Sequence, residues 1–266
     1  MALLQNFKPT IPTYFPTSSS SRYSFTSLPQ SHFSLCFLVT FPWKVPILQR
    51  SSPTLSRRLV VPSVSGIWDA LTGGNNRLEA VAAVRRGMLL FRQGDVLGSL
   101  AEFDKAIELD PRQRAYLWQR GLSLYYLDRF EEGAEQFRVD VAENPNDTEE
   151  SIWCFLCEAQ LCGPDEARKH FLQVGRDPRP VMREAYTMFK NGGDPEKLVT
   201  AFSNGQGSDY FYASLYAGLY HESQNEADAA KFRIIAASCS PYGQRSDDYM
   251  ASLAKVHCSS RNWSTV

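Results

Sequence analysis

Cys154, Cys157 and Cys162 come nearer to a reactive spacing than any other residues in this chain of 266. A Cys-x-x-Cys pair does redox work when a helix terminus or a neighbouring cation lowers one thiol's pKa, and it holds zinc when further ligands stand close by. Cys154 and Cys157 lie inside Trp153-Cys154-Phe155-Leu156-Cys157, apolar on both sides, where cysteine behaves as a small buried hydrophobe. No second Cys-x-x-Cys occurs, and the nearest histidine is His170. A structural role is therefore expected, with a redox protein built on Cys154 and Cys157 as the competing reading. None of His32, His170, His221 and His257 sits in a recognisable Ser/Asp catalytic context. Gly205-Gln206-Gly207-Ser208 lacks the lysine that a phosphate cradle needs and reads as a linker. The pairs Glu131-Glu132, Glu149-Glu150 and Asp247-Asp248 read as solvated helix faces and helix starts. The expectation is a chain with no catalytic residue, no cofactor and no metal.

The charge is divided unevenly along the chain. The 28 Lys and Arg nearly match the 29 Asp and Glu, but no acid precedes Asp69, while six bases do (Lys8, Arg22, Lys44, Arg50, Arg57, Arg58). The body from Asp69 onward thus holds 22 bases against 29 acids, a net of −7. That balance opposes a nucleic-acid partner, because phosphate backbones are held by clustered Lys and Arg. Residues 1–62 are acid-free, rich in Ser and Thr and broken by prolines, and cannot bury a core. They resemble a chloroplast transit peptide, against the alternative of a disordered cytosolic tail, and such segments stand outside fold reasoning. The resemblance implies a plant protein delivered to the chloroplast, with maturation between Leu59 and Gly66 and the stroma favoured over the thylakoid lumen. The apolar run Phe33–Trp43 is too short for the ~20 residues of a membrane span. Peripheral association with thylakoids stays open.

The body repeats itself. Gly87, Leu90, Phe103 and Pro111 recur 34 residues on as Gly121, Leu124, Phe137 and Pro145. Between them Val96, Leu100, Phe103 and Ile107 reappear as Phe130, Ala134, Phe137 and Val141, an apolar stripe at helical spacing. Gly94-Asp95 and Asp128-Arg129 interrupt each unit, and the prolines close it. This pattern resembles the tetratricopeptide repeat (TPR) family, with its W-x2-L-G-x2-Y, A-x3-F and closing Pro at a period of 34. Ala83 and Leu117 stand where the family has Trp, Arg86 and Arg120 where it has Leu, and Leu90 and Leu124 where it has an aromatic. A worn third unit carries Ala167 and Phe171, with Phe155 in the glycine's place; Asp194-Pro195-Glu196 starts a fourth; Phe211–Tyr220 and Ala229–Ala237 form a fifth. The resemblance implies an all-α TPR-type solenoid of about five helix pairs plus a C-terminal capping helix, preceded by a disordered N-terminus. The expected domains are 1–62 transit peptide, 63–75 short linker or helix, and 76–266 solenoid. Its units fall at about 80–113, 114–147, 148–180, 181–205 and 208–241, with the cap at 242–258. The Tyr-rich final unit and cap are also similar to the bacterial outer-membrane TPR lipoproteins, which act as adaptors, though no lipidation cysteine is present.

In that architecture the first helix of each unit lines a concave groove. The resemblance places Val84, Met88, Phe91, Trp118, Leu122, Tyr125 and Ile152 there, an apolar and aromatic lining without the donors that carboxylate tails of chaperones require. A partner peptide or amphipathic helix fits it better. Trp118 and Tyr125 either line this groove or fill the core between repeats. The expected function is a non-catalytic protein-binding adaptor or scaffold, by class resemblance in photosystem assembly or thylakoid proteostasis, or alternatively a regulator of tetrapyrrole synthesis.

Overall fold

The computed structural model describes residues 64–205 and 207–264, and every regular element among them is helical. The transit-peptide and disorder expectations for residues 1–62, with Cys36 and His32, lie outside the described residues. Twelve α-helices follow in order: α1 (Val64–Arg92), α2 (Val96–Leu109), α3 (Trp118–Tyr126), α4 (Phe130–Glu143), α5 (Thr148–Cys162), α6 (Pro164–Lys169), α7 (Pro180–Asn191), α8 (Pro195–Ala201), α9 (Asp209–Ser223), α10 (Ala227–Cys239), α11 (Pro241–Arg245) and α12 (Tyr249–Ser260). Consecutive helices pack in pairs, α1 with α2 through α9 with α10, and each pair rests on the next. No helix among the described residues is long and apolar enough to cross a membrane.

Local chemistry sets the boundaries. The tight turns after α1, α3 and α9 each hold a residue in the left-handed region: Gly94 (φ 86°), Asp128 (φ 57°) and Asn225 (φ 62°). Glycine enters that region freely, and Asp and Asn tolerate it better than other side chains. Asp95, Asp147, Asp194 and Asp248 cap α2, α5, α8 and α12 by accepting from Gly98, Glu149, Glu196 and Met250 backbone N–H groups at 2.8–3.0 Å. Proline occupies the first turn of α6, α7, α8 and α11, where its missing N–H costs nothing. Of the two alternatives for residues 63–75, linker or helix, the described part is helix. From Val64 they belong to the 29-residue α1, which runs through Gly73-Gly74. No proline stands between Pro62 and Pro111 to stop it, and glycine weakens a helix without ending it.

Within the pairs, glycines decide how closely helices approach. A Cβ on Gly87 would meet the Phe103 ring at 2.7 Å, on Gly121 the Phe137 ring at 2.6 Å, and on Gly218 the Ile234 side chain. In each case the partner lies sixteen residues further on, so one packing device serves the first, second and fifth pairs. The third pair lacks it. Phe155, 34 residues after Gly121, fills the site with its own ring, tilted against Phe171 and edge-on to Phe189 with centroids 5.6 Å apart in both pairs. A full second helix cannot approach, so α6 ends at Lys169 and the chain to Arg179 runs without helix. Its backbone groups find other partners: Ser151 Oγ donates to the Leu172 carbonyl at 2.7 Å, and Gly175 N–H to that of Pro145 at 2.8 Å.

The C-terminal helix does more than cap the last pair. α12 packs against α10 and also against α1, so the series of pairs closes on itself. Tyr249 of α12 stacks on Phe91 of α1 with centroids 5.1 Å apart and meets Trp118 of α3 edge-on at 5.2 Å. The Tyr126 hydroxyl and His257 Nδ1 are hydrogen-bonded at 3.0 Å, with His257 fully buried. Burial lowers the His257 pKa to about 4, so this imidazole is neutral at ordinary pH.

The glycine contacts yield a direct test. Gly121→Leu drives a side chain into Phe137, and overpacking of this kind costs about 1–3 kcal/mol. At about 2–4 °C per kcal/mol for a chain this size, the melting temperature should fall on the order of 5 °C in a calorimetric scan. An unchanged melting temperature contradicts the packing described.

Candidate functional site

The residues expected to line an open groove are mostly inside the protein. Phe91, Leu122, Tyr125 and Ile152 have no exposed surface, while Val84, Met88 and Trp118 are half-buried. What covers them is the chain itself: α12 over Phe91 and Trp118, and α9 beside Tyr125, whose hydroxyl stands 3.5 Å from Glu222 Oε2. Four of the seven expected groove residues thus lie in the core, and Val84, Met88 and Trp118 keep partial exposure. Burying large apolar surface is favourable, and the one hydroxyl of the fully buried set, that of Tyr125, finds Glu222 within the chain. Tyr125 belongs to the core, and Trp118 alone of the aromatic pair keeps partial access.

Trp118 borders a recess of about 230 Å³ where α3, α5, α7, α9 and α12 all begin. Its walls are the rings of Trp118, Phe137, Trp153, Tyr212 and Tyr249 and the side chain of Met250, with Asp147, Glu149, Glu150, Asp248 and Arg179 supplying charge. Part of this acidity is structural. Asp147 and Asp248 are helix caps, and carboxylates are stabilised at helix N-termini by the backbone dipoles. Asp248 also accepts from the hydroxyls of Tyr212 at 2.6 Å and Tyr242 at 2.8 Å. Glu149 is paired with Arg179 at 2.6 Å and accepts from the Tyr216 hydroxyl at 2.8 Å. Arg179 also pairs with Asp177 at 2.9 Å and lies 5.4 Å above the centre of the Tyr212 ring.

Glu150 is the exception. It is 7% exposed, and its Oε2 has no hydrogen-bond partner; the buried Tyr249 hydroxyl has none either. Such groups are rare in native proteins and each asks for an explanation. Burial, then the neighbouring Asp147, Asp140 and Glu149, push the Glu150 carboxyl up to about 9. It is thus protonated at neutral pH. The expected solvated face for Glu149 and Glu150 is overturned. α5 is buried on every side from Ser151 to Ala159, and a helix apolar all round has no solvent face to offer its first turn. That all-round apolarity, legible in Ser151-Ile152-Trp153-Cys154-Phe155-Leu156-Cys157, was the signal for these glutamates. Arg179 and Tyr212 carried no such signal, since they arrive from the start of α7 and from α9, both distant in sequence from α5. Glu131 and Glu132 are exposed, with Glu132 paired to Arg129 at 2.6 Å.

Cys154 and Cys157 are both unbonded and buried. Burial raises the Cys154 thiol to about 12 and carries Cys157 well above its ordinary value, the opposite of what a nucleophilic thiolate needs. A larger concavity of about 680 Å³ lies between α2 and α4, where each arginine of the lining is ion-paired, as Arg120 is with Asp104 at 2.7 Å. Among the described residues no group of three or more His, Cys, Asp or Glu is placed to hold a metal. No protein-family model matches the chain.

The buried acid has a pH signature. Its folded pKa lies above its ordinary one, so between about pH 4.5 and 9 the folded state keeps a proton that the unfolded state releases, and stability falls as pH rises through that window. Glu150→Gln removes this term while leaving the contributions of Asp140 and His257 in place. The variant should melt higher than wild type by at least about 2 °C near pH 8, with a smaller gain near pH 5. An equal or negative shift at the higher pH contradicts the burial of this carboxyl.

Proposed function

We propose that this protein is a non-catalytic protein–protein adaptor of the tetratricopeptide repeat type, delivered to the chloroplast stroma by its N-terminal segment. The TPR reading is supported by the 34-residue spacing and by the repeated glycine–aromatic contacts in the helix pairs. The acid-free, Ser-rich start supports the destination. The partner, a peptide or amphipathic helix, engages the protein at the mouth of the recess beside Trp118, because the concave face is already taken by α12. A single observation carries this reading: a half-buried tryptophan and an unsatisfied carboxyl border the same small opening. The recess presents binding groups without a cysteine, histidine or lysine among its walls. By class, the setting is photosystem assembly or thylakoid proteostasis.

The test is quantitative affinity purification and mass spectrometry from chloroplasts, with wild type compared against a Trp118→Leu protein that keeps its helical circular dichroism. The expected result is selective loss of a few proteins, each reduced at least about fivefold, about 1 kcal/mol of binding free energy. Recovery of the same set by both proteins refutes the adaptor role of this opening.

A further inference from the structure

The recess has more negative capacity than its own residues use. Four carboxyl groups line it against one guanidinium, and that guanidinium, of Arg179, is already engaged by Glu149 and Asp177. Asp147 and Asp248 are occupied as caps, which leaves Glu150 as the acceptor without a donor. Around it stand the rings of Trp118, Trp153, Tyr212 and Tyr249. The faces of such rings attract cations, with Trp the strongest, and acid and aromatic walls together favour organic cations above neutral ligands. The protein shows the interaction on one wall of this recess, where Arg179 sits over Tyr212 while its charge is met by Glu149.

Size narrows the ligand. A volume of about 230 Å³ is below the ~300–1,000 Å³ of sites for drug-sized molecules and matches the end of one side chain. We infer that the recess binds a single organic cation, an ammonium or guanidinium on a short alkyl stem, lodged among Trp118, Trp153, Tyr212 and Tyr249 and paired with Glu150. The Tyr249 ring lines the same space, and its buried hydroxyl has no partner of its own. The inference deepens the adaptor reading and rests on it for the cation's source, which is a lysine or arginine side chain of the partner protein; a free diamine carries the same chemistry.

Binding is linked to a proton. Glu150 faces Asp140 of α4, Asp147 and Glu149 at the start of α5, Arg179 before α7 and Asp248 before α12. Burial first, and the neighbouring carboxylates second, keep this carboxyl protonated until a cation enters, and pairing with the cation releases the proton. Affinity therefore rises with pH below about 9, by up to about tenfold per pH unit for one proton released.

The experiment is isothermal titration calorimetry on the full chain with N-acetyl-lysine methylamide, N-acetyl-arginine methylamide, putrescine and the neutral isostere N-acetyl-norleucine methylamide. The expected result is binding of cations at least about tenfold tighter than norleucine, with heats that vary with buffer ionisation enthalpy as a released proton requires. Glu150→Gln, which should fold more stably than wild type, is expected to weaken cation binding at least about tenfold and abolish the proton release. Binding of the norleucine probe as tight as that of the cations, absence of cation binding, or wild-type affinity in Glu150→Gln overturns the inference. Putrescine binding well above both side-chain analogues supports the cation site and identifies a free diamine as its ligand. The affinity purification above stands apart: partners lost without cation binding leave the adaptor role and sink this site, and cation binding without lost partners does the reverse.

Discussion

The stacking of Tyr249 on Phe91 joins the last helix to the first, and the rest of the molecule is organised by the surface that this contact covers. Helices α1, α3 and α5 present Phe91, Leu122, Tyr125 and Ile152 to one side, all fully buried in the closed chain. Each aromatic or aliphatic side chain of this size is worth about 1.5–3 kcal/mol when removed from water. Left open, that face would be a liability for a lone chain. The protein meets the constraint internally, with α9 and α12. The His257–Tyr126 hydrogen bond spans 131 residues of sequence, so the two ends of the helix series stabilise each other. An ordinary stack of repeats has only neighbour contacts and behaves nearly one-dimensionally; this one carries a long-range closure.

The recess follows from that closure. Helices that converge on one face bring their N-termini together, and helix N-termini collect carboxylates as caps. Asp147 and Asp248 are there for this reason. Glu150 has no capping duty, and its neighbours deny it a donor. The aromatic walls come from the same side chains that the closure brought together, Tyr249 among them. A feature that began as the seam of a folded core thus keeps carboxyl groups and aromatic ring faces side by side.

Much of the fold was legible in the sequence because it is written locally. The helix pairs show in the recurrence from Gly87 to Gly121 and from Phe103 to Phe137, whereas the contact of each glycine with the ring sixteen residues on emerges only from the packing. Caps such as Asp194 before Pro195 are short-range signals and read correctly. The closure was not legible, since α12 looks like any terminal helix until its contact with α1 is known. The groove residues were therefore assigned to the right helices but to the wrong environment. Glu149 and Glu150 failed for a related reason: an acidic pair at a helix start reads as solvated, and only tertiary packing buries it. Arg179 and Tyr212 reach the recess from distant segments, and nothing in their local sequence announces it.

Native-state hydrogen exchange read by mass spectrometry tests the closure most directly. If α12 holds the concave face, its amides open only together with those of α3 and α5, at the same free energy and with the same dependence on low denaturant. That is the expected result. Exchange of α12 at a distinctly lower free energy, with α3 and α5 still protected, would show that the aromatic face stands without its cover and would contradict the account.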